Sequence, residues 1–231
     1  ECPEQLFSRF YANSLAQYMA NSDPKIKQVF DSWKSIAPEA LQSNLENNQE
    51  LKAVLIEETP WVREAQSESE QKQRLGLLFD LNHMQYELQK TFSKLQEQQL
   101  ASGAWPWFKG MRENRYITQY IVTGMGRLHH MGVIDLKKDN RLMGMVRKAM
   151  QYLDNQILEE YPDRMDQQHI SRQQIQYLYA RSYYGDLLPV KDKYTEAIDY
   201  FYGQATEYTL EFNKYIQGMI ALINYRAGDE K

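Results

Sequence analysis

Apolar residues recur at steps of three and four along most of this chain, and no alternating run of strand type stands out. The first such stretch predicts a helix from about Pro3 to Ala20. It carries Phe7, Tyr11, Leu15 and Tyr18 along one face, with Leu6 and Phe10 beside them. Asn21-Ser22-Asp23-Pro24 ends it and caps a second helix through Ile26, Val29, Phe30 and Trp33. A short turn is expected at Glu39–Leu45, then a helix over Glu50–Ile56 that stops at Thr59-Pro60, because a residue before proline is pushed out of helical geometry. The charged, Gln-rich stretch from Glu64 to Leu100 sustains no heptad. It divides near Asp80 into helices at about Ser67–Leu81 and Asn82–Leu100, with the charges on solvated faces.

Ser102–Asn114 is the longest expected loop of this half and holds Trp105, Trp107 and Phe108 between two glycines. Large aromatics on such a loop are expensive to expose, so they are expected to cover something. Helices follow at about Arg115–Met131, Asp139–Glu160, Ser171–Tyr184, Thr195–Thr209 and Glu211–Ala227, with breaks at Gly132, Tyr161-Pro162-Asp163 and Gly185–Pro189. Tyr116, Tyr120, Gly124 and Gly126 read as packing positions of an inner helix. The predicted class is therefore all-α, an array of helical hairpins closed as a toroid or open as a solenoid.

Composition narrows the classes of function. A chain of 231 residues lies near the upper size of one domain, and about 70% of its unfolded surface can be buried. The formal net charge of −4 offers no basic footprint for nucleic acid, and no apolar run is long enough for a membrane span. His83 and His169 stand alone on polar stretches, and His129 and His130 sit where a helix ends and are expected to satisfy last-turn carbonyls. No set of His and Glu has convincing metal-ligand spacing, so neither metal nor cofactor is expected. The chain opens on Glu1-Cys2, without an initiator methionine, and is expected to be a piece of something longer.

Cys2 is the only cysteine. Cys2 at N-cap, Pro3 at the first helical position and Gln5 at N3 occupy the positions whose side chains fold back on each other in a capping box. Here the pair is a thiol and a carboxamide, so loss of ammonia would leave an internal thioester. A helix N-terminus favours a departing thiolate; Glu4 could serve as a local proton acceptor, although an acid in the first turn is also expected on dipole grounds alone. Against this stands the plainer role of a lone cysteine as a small buried hydrophobe.

Cys2-Pro3-Glu4-Gln5 resembles the Cys-x-Glu-Gln thioester signature of the alpha-2-macroglobulin and complement superfamily. Glu57-Glu58-Thr59-Pro60-Trp61 and Gly103-Ala104-Trp105-Pro106-Trp107-Phe108-Lys109-Gly110 look like the thioester domain of its bacterial branch, in the right order and at the right separations. The resemblance reaches to about Arg226. It implies an alpha/alpha toroid of the terpenoid cyclase type spanning 1–231, incomplete at its C-terminal side and with an apolar edge exposed there. It also implies a non-enzymatic protease trap in the periplasm or cell envelope. There a lysine amine of a captured protease would attack the Gln5 carbonyl, Cys2 would leave as thiolate, and an isopeptide bond would remain. Phe7, Tyr11, Trp105, Trp107 and Phe108 would keep water from the thioester. The partners implied are target proteases and other domains of the same full-length chain, with no insertion of this domain into a membrane. Some complement relatives carry a histidine after the aromatic loop, and Lys109–Asn114 has none, so amines are the expected acceptors rather than hydroxyls.

Two other classes remain open on the residues alone. An alpha/alpha-toroid enzyme of cyclase or glycosidase type would need paired or clustered acids over a cavity, and no Asp-rich motif is present. A helical interaction module would dock another domain through its aromatic surface. Neither needs Cys2 or Gln5.

Overall fold

The computed structural model describes residues 1–22, 81–165 and 170–228. The predicted elements between Asp23 and Asp80, the Glu57–Trp61 motif and His169 lie outside the described residues. Two compact units are present, one of Glu1–Tyr11 with Thr91–Lys231 and one of Ala12–Lys90. The architecture is all-helical. The described elements are α1 (Pro3–Ser22), α2 (Leu81–Gln98), α3 (Arg115–His130), α4 (Asn140–Met165), α5 (Arg172–Arg181), α6 (Asp192–Glu207), a 3-10 turn at Thr209–Glu211, and α7 (Lys214–Ala227). Among the described residues the only β-type pairing is an isolated bridge between Pro106 and Glu113, and no helix is long and apolar enough to cross a membrane.

Helix starts follow the side chains that satisfy free N–H groups. Asn114 Oδ1 accepts from Ile117 N at 3.0 Å, Asp139 Oδ1 from Leu142 N at 3.1 Å, and Asn213 Oδ1 from Ile216 N at 3.1 Å. Ser171 and Gln174 form a capping box at the start of α5. Gly228 closes α7 with φ +81°, the left-handed cap that glycine adopts without steric cost.

Packing of the larger unit follows two rows. Helix α3 touches α5, and α5 touches α7; α4 touches α6; each helix of one row also meets its chain neighbours in the other. Helix α5 sits at the hub, which explains why ten residues suffice. Ile175, Tyr177, Leu178, Tyr179 and Ala180 are all buried, so tertiary contacts replace the stability a short helix lacks. Two polar networks tie the rows together. Arg115 of α3 is buried and paired with Glu160 of α4, whose other oxygen accepts from Gln174 of α5 at 2.8 Å. Tyr177 donates to Asp154 Oδ1 at 2.6 Å, and Arg181 Nε lies 3.4 Å from the same oxygen.

The predicted break at Tyr161-Pro162-Asp163 does not occur, since α4 runs through Pro162 to Met165. Proline removes one helical donor there, but neighbours on α6 hold the last turn. Tyr161 donates to Glu196 at 3.0 Å, and Tyr200 donates to Arg164 O at 2.9 Å. Helix α5 ends at Arg181, not at the predicted Tyr184. The chain turns because Tyr184 is fully buried, its hydroxyl donating to Val122 O at 2.5 Å.

Candidate functional site

The first turn of α1 has the predicted register. Leu6 N donates to Cys2 O at 3.1 Å, the first intrahelical bond, which puts Cys2 at N-cap and Pro3 at N1. Gln5, at N3, turns its amide back so that Oε1 accepts from Cys2 N at 3.3 Å. This is the reciprocal half of a capping box, and it holds the carboxamide beside the residue that bears the thiol. Cys2 is free and 5% exposed, Glu4 is half-buried and Gln5 is exposed. Cys2 is thus closed off from solvent while Gln5 is open to it.

Glu1 fastens this turn to α2. Its carboxylate meets Lys94 Nζ at 2.9 Å and Arg9 at 2.5 Å, and its carbonyl accepts from Gln98 at 3.3 Å. The hydrogen bond from Lys94, with help from Arg9, holds the Glu1 carboxyl below its ordinary pKa.

The five aromatics expected as a shield do not share one environment. Phe7 is buried, stacked on Phe10 at 6.2 Å and edge-on to Tyr11 and Tyr120. Tyr11 is half-buried. Trp105 is a structural anchor. Its indole donates to Leu95 O at 2.8 Å, satisfying a carbonyl in the last turn of α2 that has no further helical donor, and its backbone N donates to Thr118 Oγ1 at 3.0 Å. Gly103 lets this loop reach α4: its φ is +93°, and a Cβ there would stand 2.2 Å from Lys148 O. Trp107 and Phe108, by contrast, are 41% and 53% exposed, and Trp107 stacks on Tyr116 at 6.1 Å.

The glycines of α3 are close-approach positions, as expected. A Cβ on Gly124 would meet the Phe7 ring at 2.3 Å, and one on Gly126 would meet Tyr183 Cβ at 2.7 Å. Tyr116 and Tyr120 do not pack as buried residues. They are half and more than a third exposed, and they face a cleft of about 340 Å³ that is bordered by α1, α3, α5 and α7. Within the two rows, only the row of α3, α5 and α7 lines it. The sequence pattern missed this cleft because tyrosine at helical spacing serves equally well in a core or on a wet wall.

His129 does not close the last turn of α3. Its Nδ1 faces Ile134 O at 3.3 Å and Leu136 N at 3.4 Å, so it organises the loop that follows. Among the described residues, no three His, Cys, Asp or Glu side chains converge as a metal site. Compared with known families, curated proteins and solved structures, the chain matches none.

Proposed function

We propose that this chain is the thioester domain of a protease-trapping protein of the alpha-2-macroglobulin type. Cys2 and Gln5 condense with release of ammonia, storing an acyl group. A lysine amine of an attacking protease then adds to the Gln5 carbonyl, the thiolate of Cys2 leaves and takes up the proton lost by the amine, and an isopeptide bond joins protease to trap. The reaction runs once, and the chain is consumed rather than regenerated. The observation that carries this reading is the back-folded Gln5 amide on the N–H of a buried N-cap cysteine. A glutamine at N3 caps a helix whatever stands at N-cap, as Gln174 does for α5, but only a thiol beside it can turn the carboxamide into a thioester.

The two-row packing supports the associated toroid, with α3, α5 and α7 as inner helices around the cleft and α4 and α6 as outer ones. Phe7 and Trp105 are buried enough to bound a dry first turn, while Trp107 and Phe108 would take part in shielding only under a second surface. Other domains of the full-length chain in the cell envelope supply that surface in this reading. A glycosidase of the same fold would need two carboxylates over its cavity, and no acid is among the described residues lining this cleft.

Intact mass tests the reading. Wild-type chain should be lighter than its sequence by one ammonia and should gain one methylamine on treatment, with release of one thiol. Cys2→Ser and Gln5→Glu should both have full mass and ignore methylamine. Gln5→Glu is the sharper control, because its carboxylate still accepts from the Cys2 N–H but cannot expel ammonia. Full mass and a titratable thiol in the wild type would overturn the proposal. Glycerol should label far less than methylamine, and equal incorporation would refute the expected preference for amines.

A further inference from the structure

The cleft on the α3–α5–α7 row carries one charge and no described countercharge. Arg127 stands on its wall, and among the described residues lining it there is no Asp or Glu. The partners of Arg127 are tyrosines. Its Nη2 lies 3.5 Å from the Tyr179 hydroxyl, its guanidinium carbon lies 5.6 Å from the Tyr179 ring centroid, and no carboxylate pairs with it among the described residues. Behind Tyr179 a second cation follows. Tyr179 and Tyr183 have hydroxyls 2.8 Å apart, and Arg226 stacks on the Tyr183 ring at 3.8 Å. In a chain of net charge −4, this is a locally cationic corner.

Electrostatics keep that corner charged. Burial opposes the Arg127 charge, but hydrogen bonds and attraction from Tyr179 and Tyr183 outweigh it, so its pKa lies above the ordinary arginine value. Burial likewise raises Tyr179, yet hydrogen bonds with Tyr183 and Arg127 pull its pKa below the ordinary tyrosine value. The lowered Tyr179 is the mark of the positive charge beside it, while burial and the Tyr179 hydrogen bond push the neighbouring Tyr183 up. Away from Arg127 the cleft turns aromatic and neutral, with the rings of Tyr11, Tyr116, Tyr120 and Tyr215 and the side chain of Met219. A volume of about 340 Å³ lies in the range of small-molecule sites.

We propose that this cleft binds a small aromatic carboxylate, its ring against the tyrosine wall and its anion on Arg127. The planar guanidinium offers two parallel donors to a carboxylate, and the tyrosine edges and faces suit a flat apolar body. A simple inorganic anion would leave the aromatic wall unused, and a cationic ligand would be repelled by Arg127. Neither Cys2 nor Gln5 is among the residues that line it.

Calorimetric titration with 3-phenylpropionate, 3-phenylpropanamide and acetate tests this on the wild-type chain. The acid should bind saturably at one site. The neutral amide should bind about tenfold more weakly or worse, as expected for loss of one charged hydrogen-bonded pair, and acetate should give no measurable heat. Arg127→Met should weaken the acid by about tenfold or more and make acid and amide alike. Arg127→Lys should keep a preference for the acid, and Thr123→Phe, which fills the cleft beside Arg127, should block both ligands. Arg147→Met, on the exposed surface of α4, should change nothing. No saturable binding of the acid, equal binding of acid and amide to wild type, or an unchanged affinity in Arg127→Met would each overturn the proposal.

Discussion

Gly124→Ala isolates the contact that seats α1 on α3. The added Cβ would stand 2.3 Å from Phe7 Cε1 and 2.4 Å from Cζ, where carbon atoms in contact sit about 3.5–4.0 Å apart, so the ring must retreat by about 1 Å or more. It has little room. Phe7 is 1% exposed, with Phe10, Tyr11 and Tyr120 all within ring-contact distance. Overpacking of this kind costs about 1–3 kcal/mol, against a gain of about 1 kcal/mol for alanine over glycine in a helix. A net loss of up to about 2 kcal/mol is expected. Gly144→Ala in α4 is the matched control, because nothing lies within 4 Å of its Cβ, and it should stabilise by about 0.5–1 kcal/mol. Urea unfolding of both variants, followed by circular dichroism, should place them on opposite sides of wild type. Adding Phe7→Leu, which removes the two clashing ring atoms, should destabilise Gly124→Ala protein less than it destabilises wild type. If Gly124→Ala matches Gly144→Ala, the close approach of Phe7 is not what this glycine serves.

Four further outcomes follow from other parts of the fold. Asp154→Ala should cost about 3–5 kcal/mol by stranding buried Arg181 and the Tyr177 hydroxyl, while Asp154→Leu with Arg181→Met should recover most of it in urea unfolding. Burial raises the Asp154 pKa above its ordinary 3.8, overriding Arg181 and Tyr177. A folded pKa above the unfolded one contributes stability that is complete below the unfolded value and is lost as pH rises through the folded value. The stability of wild type relative to Asp154→Asn should therefore fall as pH rises from about 3.8, and a rise would contradict this sign. Trp105→Phe should cost about 1–3 kcal/mol by leaving Leu95 O without its donor, and a change within error would mean that the indole is not holding the end of α2. In an alkaline absorbance titration, Tyr179→Phe should remove a phenol that ionises below the ordinary tyrosine range, whereas Tyr184→Phe should remove none below it, since burial pushes Tyr184 up.

Helix existence was legible because its cause is local. Three-and-four spacing placed α1 and α3–α7, the proline at N1 placed the start of α1, and the expected starts of α3 and α4 lie within a residue of those found. The ends were less legible. Pro162 reads as a breaker, yet contacts from Glu196 and Tyr200 carry α4 past it, and the run through Tyr184 reads as helix until the buried hydroxyl on Val122 O turns the chain. Both corrections come from partners more than thirty residues away, which no local pattern contains.

The sequence alone determined the register of the first turn, because a proline at N1 and a back-folding glutamine at N3 are local preferences that agree on the same N-cap. It also determined that Gly124 and Gly126 lie on a helix, but not what approaches them. Tertiary structure decided that Phe7 and Tyr183 fill those gaps, and that Trp105 goes inward while Trp107 and Phe108 stay out. It also decided that Tyr116 and Tyr120 face a cleft with an arginine at one side. The reason is the same in each case. An aromatic side chain is compatible with either side of a helix or loop, and which side is dry depends on the helices that pack there.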